Sequence, residues 1–383
     1  MATITFKHTP FGDLALVSMR GCEDISKKVD YYLTQWRETP DGYSHIVKAT
    51  CPRFGSGEGK AVFSHSARGL DVYIICDCFN HGVTYTMYGQ TVPMSPDDHY
   101  QDLKRVIASL GGKARRITVI MPMLYEGRQH RRSSRESLDC AMALQELIGM
   151  GVSNILTFDA HDPRVQNAIP LGGFDNVQPT YQMIKALVRN VPDIVINRDK
   201  TMIVSPDEGG MGRCIYYSSV LGLDLGMFYK RRNYSVIVNG RNPIEAHEWL
   251  GKDVAGKDLI IVDDMISSGD SMLDIAEKLK AKGAGRIFIF STFGLFVEGL
   301  EKFDEYYKKG FIDKVFTTNL IYSTPELLSR EWYCNVDLSK YIAYIVDTLN
   351  YDNSISDLLN PAERIAKLMA KHENELTKKG IAH

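Results

Sequence analysis

Residues 259–271 read Leu-Ile-Ile-Val-Asp-Asp-Met-Ile-Ser-Ser-Gly-Asp-Ser and predict a strand, a polar loop and a helix in succession. Residues 259–262 are apolar and mostly β-branched, as expected of a buried parallel strand. Asp263 and Asp264 follow where that strand is expected to end. Residues 272–282 then carry apolar side chains at helical spacing. This order is typical of an open α/β sheet, in which ligands bind at the carboxyl ends of the strands.

The loop between this strand and helix predicts a sugar-phosphate pocket. Small residues let the backbone approach a phosphate closely, and free N–H groups at a helix start attract anions. The paired carboxylates of Asp263 and Asp264 can accept hydrogen bonds from the vicinal hydroxyls of a sugar. Asp, Ser and Gly also occur in such turns because they cap helices and tolerate unusual dihedral angles. A purely structural role for the loop therefore stays open at this point.

The overall composition is that of a globular protein with room for two domains. The chain has 383 residues, of which 44% are hydrophobic and 24% charged. A net charge of −2 gives no preference for nucleic acid or an anionic membrane. The seven cysteines are scattered without metal-ligand spacing, as in a reducing compartment. With no signal peptide or bilayer-length apolar run, we expect a cytoplasmic protein with no nucleic-acid or membrane partner.

Strands alternate with helices twice along the chain. The predicted strands are residues 13–17, 71–76, 116–121, 154–158, 202–204, 225–229, 259–262, 286–292, 314–318 and 342–346. This alternation predicts two doubly wound α/β domains with parallel sheets. We place the N-terminal domain at residues 1–178 and the C-terminal domain at residues 179–347. Residues 233–256 lack periodicity and predict a mobile loop. A C-terminal helix is predicted after Pro361, and we expect residues 348–383 to pack back on the first domain.

Charged groups follow several of these strands. Four arginines between residues 128 and 135 come after the strand at 116–121, and the Arg fork fits phosphate oxygens. A charge run of this kind can also be a solvated turn. Asp159 and His161 follow the strand at 154–158, where they can share a divalent cation or contact a phosphate. Asp207 lies in an acidic, glycine-rich turn that precedes another predicted helix.

Taken in order, these motifs resemble the ribose-phosphate diphosphokinase (phosphoribosyl pyrophosphate synthetase) family. The sugar-phosphate loop alone is shared with many phosphoribosyltransferases, but the ordered set is more specific. The set comprises Arg53-Phe54 with Gly57-Glu58, Arg68-Gly69 with Asp71-Val72-Tyr73, Arg128-Gln129, Asp159 with His161, Asp175-Asn176, Val204-Ser205-Pro206-Asp207 with Gly209-Gly210 and Arg213, Lys230 with Arg232, Thr318-Asn319, and Asn353-Ser354-Ile355-Ser356. The resemblance implies two tandem phosphoribosyltransferase-like domains.

The same resemblance implies a reaction and the residues that serve it. Ribose 5-phosphate would attack the β-phosphorus of ATP through its 1-hydroxyl, giving phosphoribosyl pyrophosphate and AMP for nucleotide biosynthesis, with Mg²⁺ or Mn²⁺ as the cofactor. A homo-oligomer, from dimer to hexamer, is also implied. The implied residues are Arg128 and Gln129 for ATP, with Phe54 and Glu58 from a neighbouring subunit; His161, Asp207 and Asp159 for the metal; Asp263, Asp264, Ser267, Ser268, Gly269, Asp270 and Ser271 for the ribose phosphate; and Lys230, Arg232 and His161 for catalysis.

Four motifs depart from the family pattern. The loop reads Ser-Ser-Gly-Asp-Ser where Asp-Thr-Gly-Gly-Thr is usual, so Asp270 brings a negative charge close to the expected phosphate. His130 replaces the usual Asp after Arg-Gln, Ser56 replaces an acid or amide, and Phe293 replaces the His of Thr-His-Gly. Two alternatives therefore remain: a non-catalytic homologue that binds nucleotide and assembles with an active partner, and a phosphoribosyltransferase that uses only the loop.

Overall fold

A computed structural model describes residues 9–232 and 244–381 of the chain, which divide into two compact units. Unit 1 comprises Met1–Pro179, Asn319–Tyr322 and Asp337–Leu359, and unit 2 comprises Thr180–Thr318, Ser323–Val336 and Asn360–His383. Each unit has a sheet flanked by helices, as the sequence predicts. In the described part of the chain, no helix combines the length and apolar character that a bilayer span needs.

The elements are numbered in chain order. Up to residue 179 they are β1 (Asp13–Ser18), α1 (Glu23–Trp36), β2 (Ala49–Thr50), β3 (Val62–Phe63), β4 (Leu70–Ile75), β5 (Thr84–Met87), β6 (Gln90–Pro93), α2 (Pro96–Ser109), β7 (Arg116–Ile120), α3 (Asp139–Gly149), β8 (Asn154–Phe158), a 3-10 helix (Pro163–Ala168) and β9 (Gly173–Val177). After it they are α4 (Thr180–Asn190), β10 (Thr201–Ser205), α5 (Met211–Leu221), β11 (Asp224–Arg232), β12 (Ile244–Leu250), β13 (Asp258–Ile266), α6 (Asp270–Ala281), β14 (Ile287–Gly294), α7 (Glu301–Lys308), β15 (Lys314–Thr318), α8 (Pro325–Leu328), β16 (Tyr333–Val336), α9 (Ser339–Asn350), α10 (Ser356–Leu359) and α11 (Ala362–Lys378).

Unit 1 is built on a five-stranded parallel sheet in the order β1-β4-β7-β8-β9. Strands β1, β4, β7 and β8 are mostly buried, which explains their largely apolar sequences, whereas the edge strand β9 is half-buried. The buried carboxylate of Asp71, in β4, accepts hydrogen bonds from Arg116 Nη2 at 2.7 Å and Asn350 Nδ2 at 2.9 Å. A buried charge held by this many donors fixes α9 to the sheet although the two are far apart in sequence.

Unit 2 has a seven-stranded sheet in the order β12-β11-β10-β13-β14-β15-β16. All neighbouring strands are parallel except β11 and β12, which are antiparallel. The strand order reverses between β10 and β13, because the chain leaves β10 to form β11 on one side and returns to form β13 on the other. In open α/β sheets, the carboxyl ends of strands at such a reversal form the ligand-binding crevice.

Two secondary-structure predictions are wrong. Residues 342–346, predicted as a strand, lie in helix α9, where Ile342, Ala343, Ile345 and Val346 are buried. A short apolar run does not distinguish a buried strand from one side of a buried helix. Strand β12 lies inside the predicted loop at residues 233–256; residues 233–243 themselves are outside the described part of the chain.

The C-terminal helix also differs from expectation. Residues 348–383 were expected to pack on the first domain; residues 348–359 do belong to unit 1, but residues 360–383 belong to unit 2, where helix α11 contacts α4 and α5. Ile365 and Leu376 are buried in this contact, and His372 Nε2 lies 2.8 Å from the carbonyl oxygen of Ile194. An apolar stripe shows that a helix covers a core, but it does not identify which core.

Candidate active site

The predicted site residues form one group in each unit, and each group is described within its own unit. In unit 2, the turn after β10 is closed by its own side chains. Ser205 Oγ donates to the carbonyl oxygen of Asp207 at 2.7 Å, and Asp207 Oδ1 accepts from the N–H groups of Gly209 at 2.9 Å and Gly210 at 3.2 Å. These bonds hold the Asp207 carboxylate at the start of α5, where the positive end of a helix favours an anionic side chain.

The two acids of β13 lie where that strand loses one of its neighbours. Pairing with β10 ends at Ile261, while pairing with β14 continues to Ile266. The strand thus runs four residues beyond the predicted end at Val262, because β14 still satisfies one edge of its backbone. Asp263 and Asp264 point to opposite faces, as consecutive strand residues do. Asp264 is 3% exposed and Asp263 is half-buried, so Asp263 is the more accessible acid.

Helix α5 brings a cation to these acids. Arg213 Nη1 lies 3.7 Å from Asp263 Oδ1. Burial raises the pKa of Asp263 well above its usual range, the neighbouring charge of Asp264 raises it further, and Arg213 opposes both effects. Bound hydroxyl donors or cations would favour the ionised form of this carboxyl. The Asp263 side chain is therefore well suited to accept hydrogen bonds from a sugar.

The loop that follows β13 has a tightly constrained centre. Gly269 has a φ of +86° and precedes α6, and a Cβ placed there would lie 2.3 Å from Phe303 Cζ. Only glycine fits this backbone conformation and this close approach. Asp270, the departure from the family pattern, is the first residue of α6 and forms an ion pair with Lys302. Ser267 and Ser268 are half-buried, and Ser271 is exposed.

In unit 1, the arginine-rich segment after β7 holds its own turn together. The N–H of Gln129 donates to the carbonyl oxygen of Glu126 at 2.8 Å, and Gln129 Nε2 donates to that of Ser137 at 2.9 Å. Arg128 is exposed. The Gln129 side chain is thus occupied in closing the segment, whereas the exposed Arg128 is suited to an anionic ligand.

The segment after β8 carries the predicted metal ligands of unit 1. Asp159 is buried with a φ of +41°, and its N–H donates to the carbonyl oxygen of Val177 at 2.8 Å. A positive φ at a non-glycine residue is strained and tends to occur at functional sites. His161 is exposed, and its ring centroid lies 5.3 Å from that of His130. The two positions, 31 residues apart, are therefore neighbours in the fold.

Sequence reasoning missed one charged residue beside these histidines. Asp162 Oδ2 lies 3.6 Å from His130 Nε2, and the Arg164 guanidinium donates hydrogen bonds to both Oδ1 and Oδ2 of Asp162. The bonds from Arg164 lower the pKa of Asp162 to about 2, so this carboxyl is ionised at neutral pH. The order Asp-Ala-His-Asp was visible, but the approach of His130 depends on the tertiary fold.

Phe54 and Glu58 lie on a small hairpin. The N–H of Phe54 donates to the carbonyl oxygen of Glu58 at 2.7 Å, and Ser56 Oγ donates to Glu58 Oε2 at 2.9 Å. Arg53 beside them has a side chain that is 6% exposed and donates to Asp102 at 2.9 Å, which anchors the hairpin to α2. The Phe54 ring is 55% exposed. An exposed aromatic ring on an anchored hairpin is typical of a contact with a ligand or another chain.

For Lys230 and Arg232, the predicted catalytic residues, the structure describes only the position of the backbone. Both belong to β11, where Lys230 pairs with His247 of β12. Their side chains are outside the described part of the structure.

One cavity of unit 1 lies away from these residues. A cavity of about 610 Å³ opens beside the end of β1, lined by Arg20, Lys48, Tyr85 and their neighbours, and contains none of the predicted site residues. Within residues 9–232 and 244–381, no three His, Cys, Asp or Glu side chains come together as metal ligands.

Comparison with known proteins identifies the family. The family model described as the N-terminal domain of ribose phosphate pyrophosphokinase matches residues 14–151, and that of the phosphoribosyl synthetase-associated domain matches residues 237–360. The chain belongs to the ribose-phosphate pyrophosphokinase family. The ribose-phosphate pyrophosphokinase of Vibrio cholerae is 29% identical over 83% of this chain and 93% of that protein. The enzyme of Pasteurella multocida is 27% identical over 90% of this chain and 98% of its own length.

The fold of this family member also matches a solved structure. The phosphoribosylpyrophosphate synthetase from Mycobacterium smegmatis superposes with a TM-score of 0.72 and 19% identity, covering 89% of this chain and all of that protein. The resemblance inferred from motifs and the predicted fold class are therefore confirmed.

Proposed function

We propose that this chain transfers the β,γ-diphosphoryl group of ATP to the 1-hydroxyl of ribose 5-phosphate, giving phosphoribosyl pyrophosphate and AMP. One observation carries the proposal. In unit 2, the Asp207 turn and the acids of β13 lie side by side at the reversal of strand order, where Cys214 Sγ approaches the carbonyl oxygen of Val262 at 3.4 Å and Arg213 approaches Asp263. Relatives that match along nearly their whole length carry the name of this activity.

The ribose 5-phosphate site proposed here is the end of β13 and its loop. Asp263 accepts hydrogen bonds from ribose hydroxyls, with Asp264 behind it, and residues 267–271 hold the 5-phosphate through backbone N–H groups at the start of α6. The left-handed backbone at Gly269, with a φ of +86°, supports this role because it turns the loop into the start of α6.

The ATP site is proposed on unit 1. The exposed guanidinium of Arg128 binds phosphate oxygens, and Gln129 supports the segment that presents it. The chain is proposed to be a homo-oligomer, in which Phe54 and Glu58 of a neighbouring subunit contact the adenine. Their anchored hairpin and the exposed Phe54 ring support this assignment.

The donor set fits a hard divalent cation. In unit 1, His161 and Asp159 offer a nitrogen and a carboxylate, and in unit 2 Asp207 offers a carboxylate. Mg²⁺ commonly uses few protein ligands together with water and phosphate oxygens. When bound, Mg²⁺ or Mn²⁺ would neutralise charge on the transferring phosphates. Lys230 and Arg232 are proposed to stabilise the charge of the group in transfer, which is the main requirement of phosphoryl transfer.

The alternatives differ in what they predict for one assay. The full-length chain is incubated with ATP and Mg²⁺, with and without ribose 5-phosphate, and AMP is measured. We expect AMP only when the sugar is present, in equal amount to phosphoribosyl pyrophosphate. ATP binding without AMP formation would instead indicate a non-catalytic homologue. AMP formation independent of the sugar would contradict the assigned acceptor.

Asp263→Asn provides the matched site variant for this assay. It retains the shape of the side chain but removes its charge, so we expect weaker ribose 5-phosphate binding with ATP binding unchanged. Loss of ATP binding in this variant would contradict the division of substrate roles between the two units.

A further inference from the structure

The negative charge that Asp270 adds to the sugar-phosphate loop has a partner. Asp270 is the first residue of α6, and its Oδ1 accepts from the ammonium group of Lys302 in α7. Both side chains are 49% exposed. The hydrogen bond from Lys302 lowers the pKa of Asp270, and the same bond raises the pKa of Lys302, so both groups are charged at neutral pH.

The position of Lys302 is fixed by packing rather than by this ion pair. Phe303, the next residue, is fully buried and lies against Gly269 at the centre of the loop. The segment before α7 is also bonded to the loop: the N–H of Leu295 donates to the carbonyl oxygen of Ile266 at 2.8 Å, and that of Val297 to Ser267 at 3.0 Å. The start of α7 is therefore held beside the loop whether or not Asp270 is present.

We propose that Lys302 is a positioning residue for the sugar phosphate, which offsets the charge of Asp270 and thereby keeps the loop attractive to an anion. The inference rests on the proposed function, since it takes residues 267–271 as the phosphate site. It links two residues 32 positions apart. It also explains how a carboxylate is tolerated where the family pattern has glycine.

The physical reason is the repulsion between like charges. An unpaired Asp270 would repel a phosphate bound at the neighbouring N–H groups, and a cation paired with it cancels most of that field. Solvent screens half-exposed groups, so the effect of losing Lys302 is modest, and it decreases as the ionic strength rises. A lysine that bound the phosphate itself would instead be needed whether or not Asp270 were present.

Four full-length variants separate these cases: Lys302→Ala, Asp270→Asn, the double variant and Lys309→Ala. Lys309 is the matched control, because it is an equally exposed lysine beside the other end of α7 and pairs with Glu305 at 2.5 Å. The measurements are KM for ribose 5-phosphate and kcat at saturating ATP and low ionic strength, and calorimetric binding of ribose 5-phosphate without turnover.

We expect Lys302→Ala to raise KM and Kd for ribose 5-phosphate about two- to fivefold, the range for a half-exposed pair, with kcat unchanged. Asp270→Asn should lower both constants, because it leaves the charge of Lys302 unopposed. The double variant, in which both charges are removed, and Lys309→Ala should resemble the wild type. Added salt should reduce the effect of Lys302→Ala.

Two results would overturn the inference. The first is an unchanged KM and Kd for ribose 5-phosphate in Lys302→Ala. The second is a loss of ribose 5-phosphate affinity in Lys302→Ala that the added Asp270→Asn change in the double variant does not reverse. The second would mean that Lys302 contacts the phosphate directly or supports the fold. Failure of the proposed function has a different signature, namely ribose 5-phosphate binding with the expected ranking of variants but no AMP formation.

Discussion

Arg213 of α5 and Asp263 of β13 form an ion pair across the strand-order reversal of unit 2, with 3.7 Å between Nη1 and Oδ1. This contact joins the helix that follows the Asp207 turn to the strand that carries the two acids. It also opposes the burial and the Asp264 charge that raise the pKa of Asp263. Arg213 therefore makes Asp263 easier to ionise beside the carboxylate of Asp264.

Arg213→Ala should shift the pH dependence of ribose 5-phosphate binding. Without the guanidinium, the pKa of Asp263 rises further, so the ionised form that accepts sugar hydroxyls persists only at higher pH. We expect the acid limb of a plot of 1/KM against pH to move to higher pH. Arg286→Ala is the control, since Arg286 pairs with Asp258 at the opposite end of the same strand. An unmoved acid limb in Arg213→Ala, or an equal shift in both variants, would contradict this role.

Gly269→Ala should destabilise the protein more than alanine at another left-handed glycine. The new Cβ must occupy a φ of +86° and would approach Phe303 Cζ to 2.3 Å. Overpacking of this kind costs roughly 1–3 kcal/mol in addition to the backbone strain. Gly222→Ala is the matched control, with a φ of +65° and no atom within 4 Å of its Cβ. Urea denaturation measures the free energy of unfolding of the two variants. Equal losses of stability would show that Phe303 accommodates the new Cβ without destabilising the protein.

Asp77 should make stability depend on pH. Burial raises its pKa to about 6, although the N–H groups of Phe79 and Tyr322 each donate to it at 2.8 Å. Since the folded pKa lies above the unfolded value of about 3.9, the folded state binds the proton more tightly. This contribution is fully present below pH ~4 and is lost as pH rises through about 6.

Asp77→Asn should remove that slope. The amide has only one acceptor oxygen for the two N–H donors, so we expect lower stability overall, by about 1 kcal/mol. The unfolding free energy of the wild type should decrease relative to this variant as the pH rises from 4 to 6. The control is Asp41→Asn, an exposed acid in the same unit. If the unfolding free energies of the wild type and Asp77→Asn changed in parallel with pH, Asp77 would not be the source of the pH dependence.

Removal of the divalent cation should abolish turnover. His161, Asp159 and Asp207 supply few ligands, so excess chelator should stop AMP formation and added Mg²⁺ should restore it. His161→Ala should raise the Mg²⁺ concentration needed for half-maximal rate, whereas His65→Ala, at an exposed histidine bonded to Ser64, should not. Full activity in excess chelator would refute the metal requirement.

The sequence predicts the central strands and the strand-end motifs well, for a physical reason. Strands such as β10 and β13 are buried on both faces, so their apolar runs are unambiguous, and the polar residues that follow each run mark its carboxyl end. The same signal fails for α9, where a five-residue apolar run lies on a buried helix. It also misses the edge strand β12, which has only one neighbour and carries charged residues.

The sequence does not show which side chains from distant segments contact each other. Asp270 was visible as a negative charge in the loop, but the cation that balances it lies on another helix. His130 was visible as a departure, but its closeness to His161 depends on how β7 and β8 are aligned in the sheet. Local spacing specifies which residues share an element, and the register between elements specifies which side chains meet.

The C-terminal helix provides a last test, on the stability of unit 2. Leu376 is buried where α11 contacts α4 and α5, and α5 begins directly after the Asp207 turn. We expect Leu376→Ala to lower the free energy of unfolding by about 2–5 kcal/mol, as for other large-to-small core changes. Lys378→Ala, exposed on the same helix, should change it by less than ~0.5 kcal/mol. Urea denaturation followed by tryptophan fluorescence measures both, since Trp249 and Trp332 lie in unit 2. Equal stability of the two variants would show that α11 is dispensable for this core, in which case deletion of residues 361–383 should also leave the unfolding midpoint unchanged.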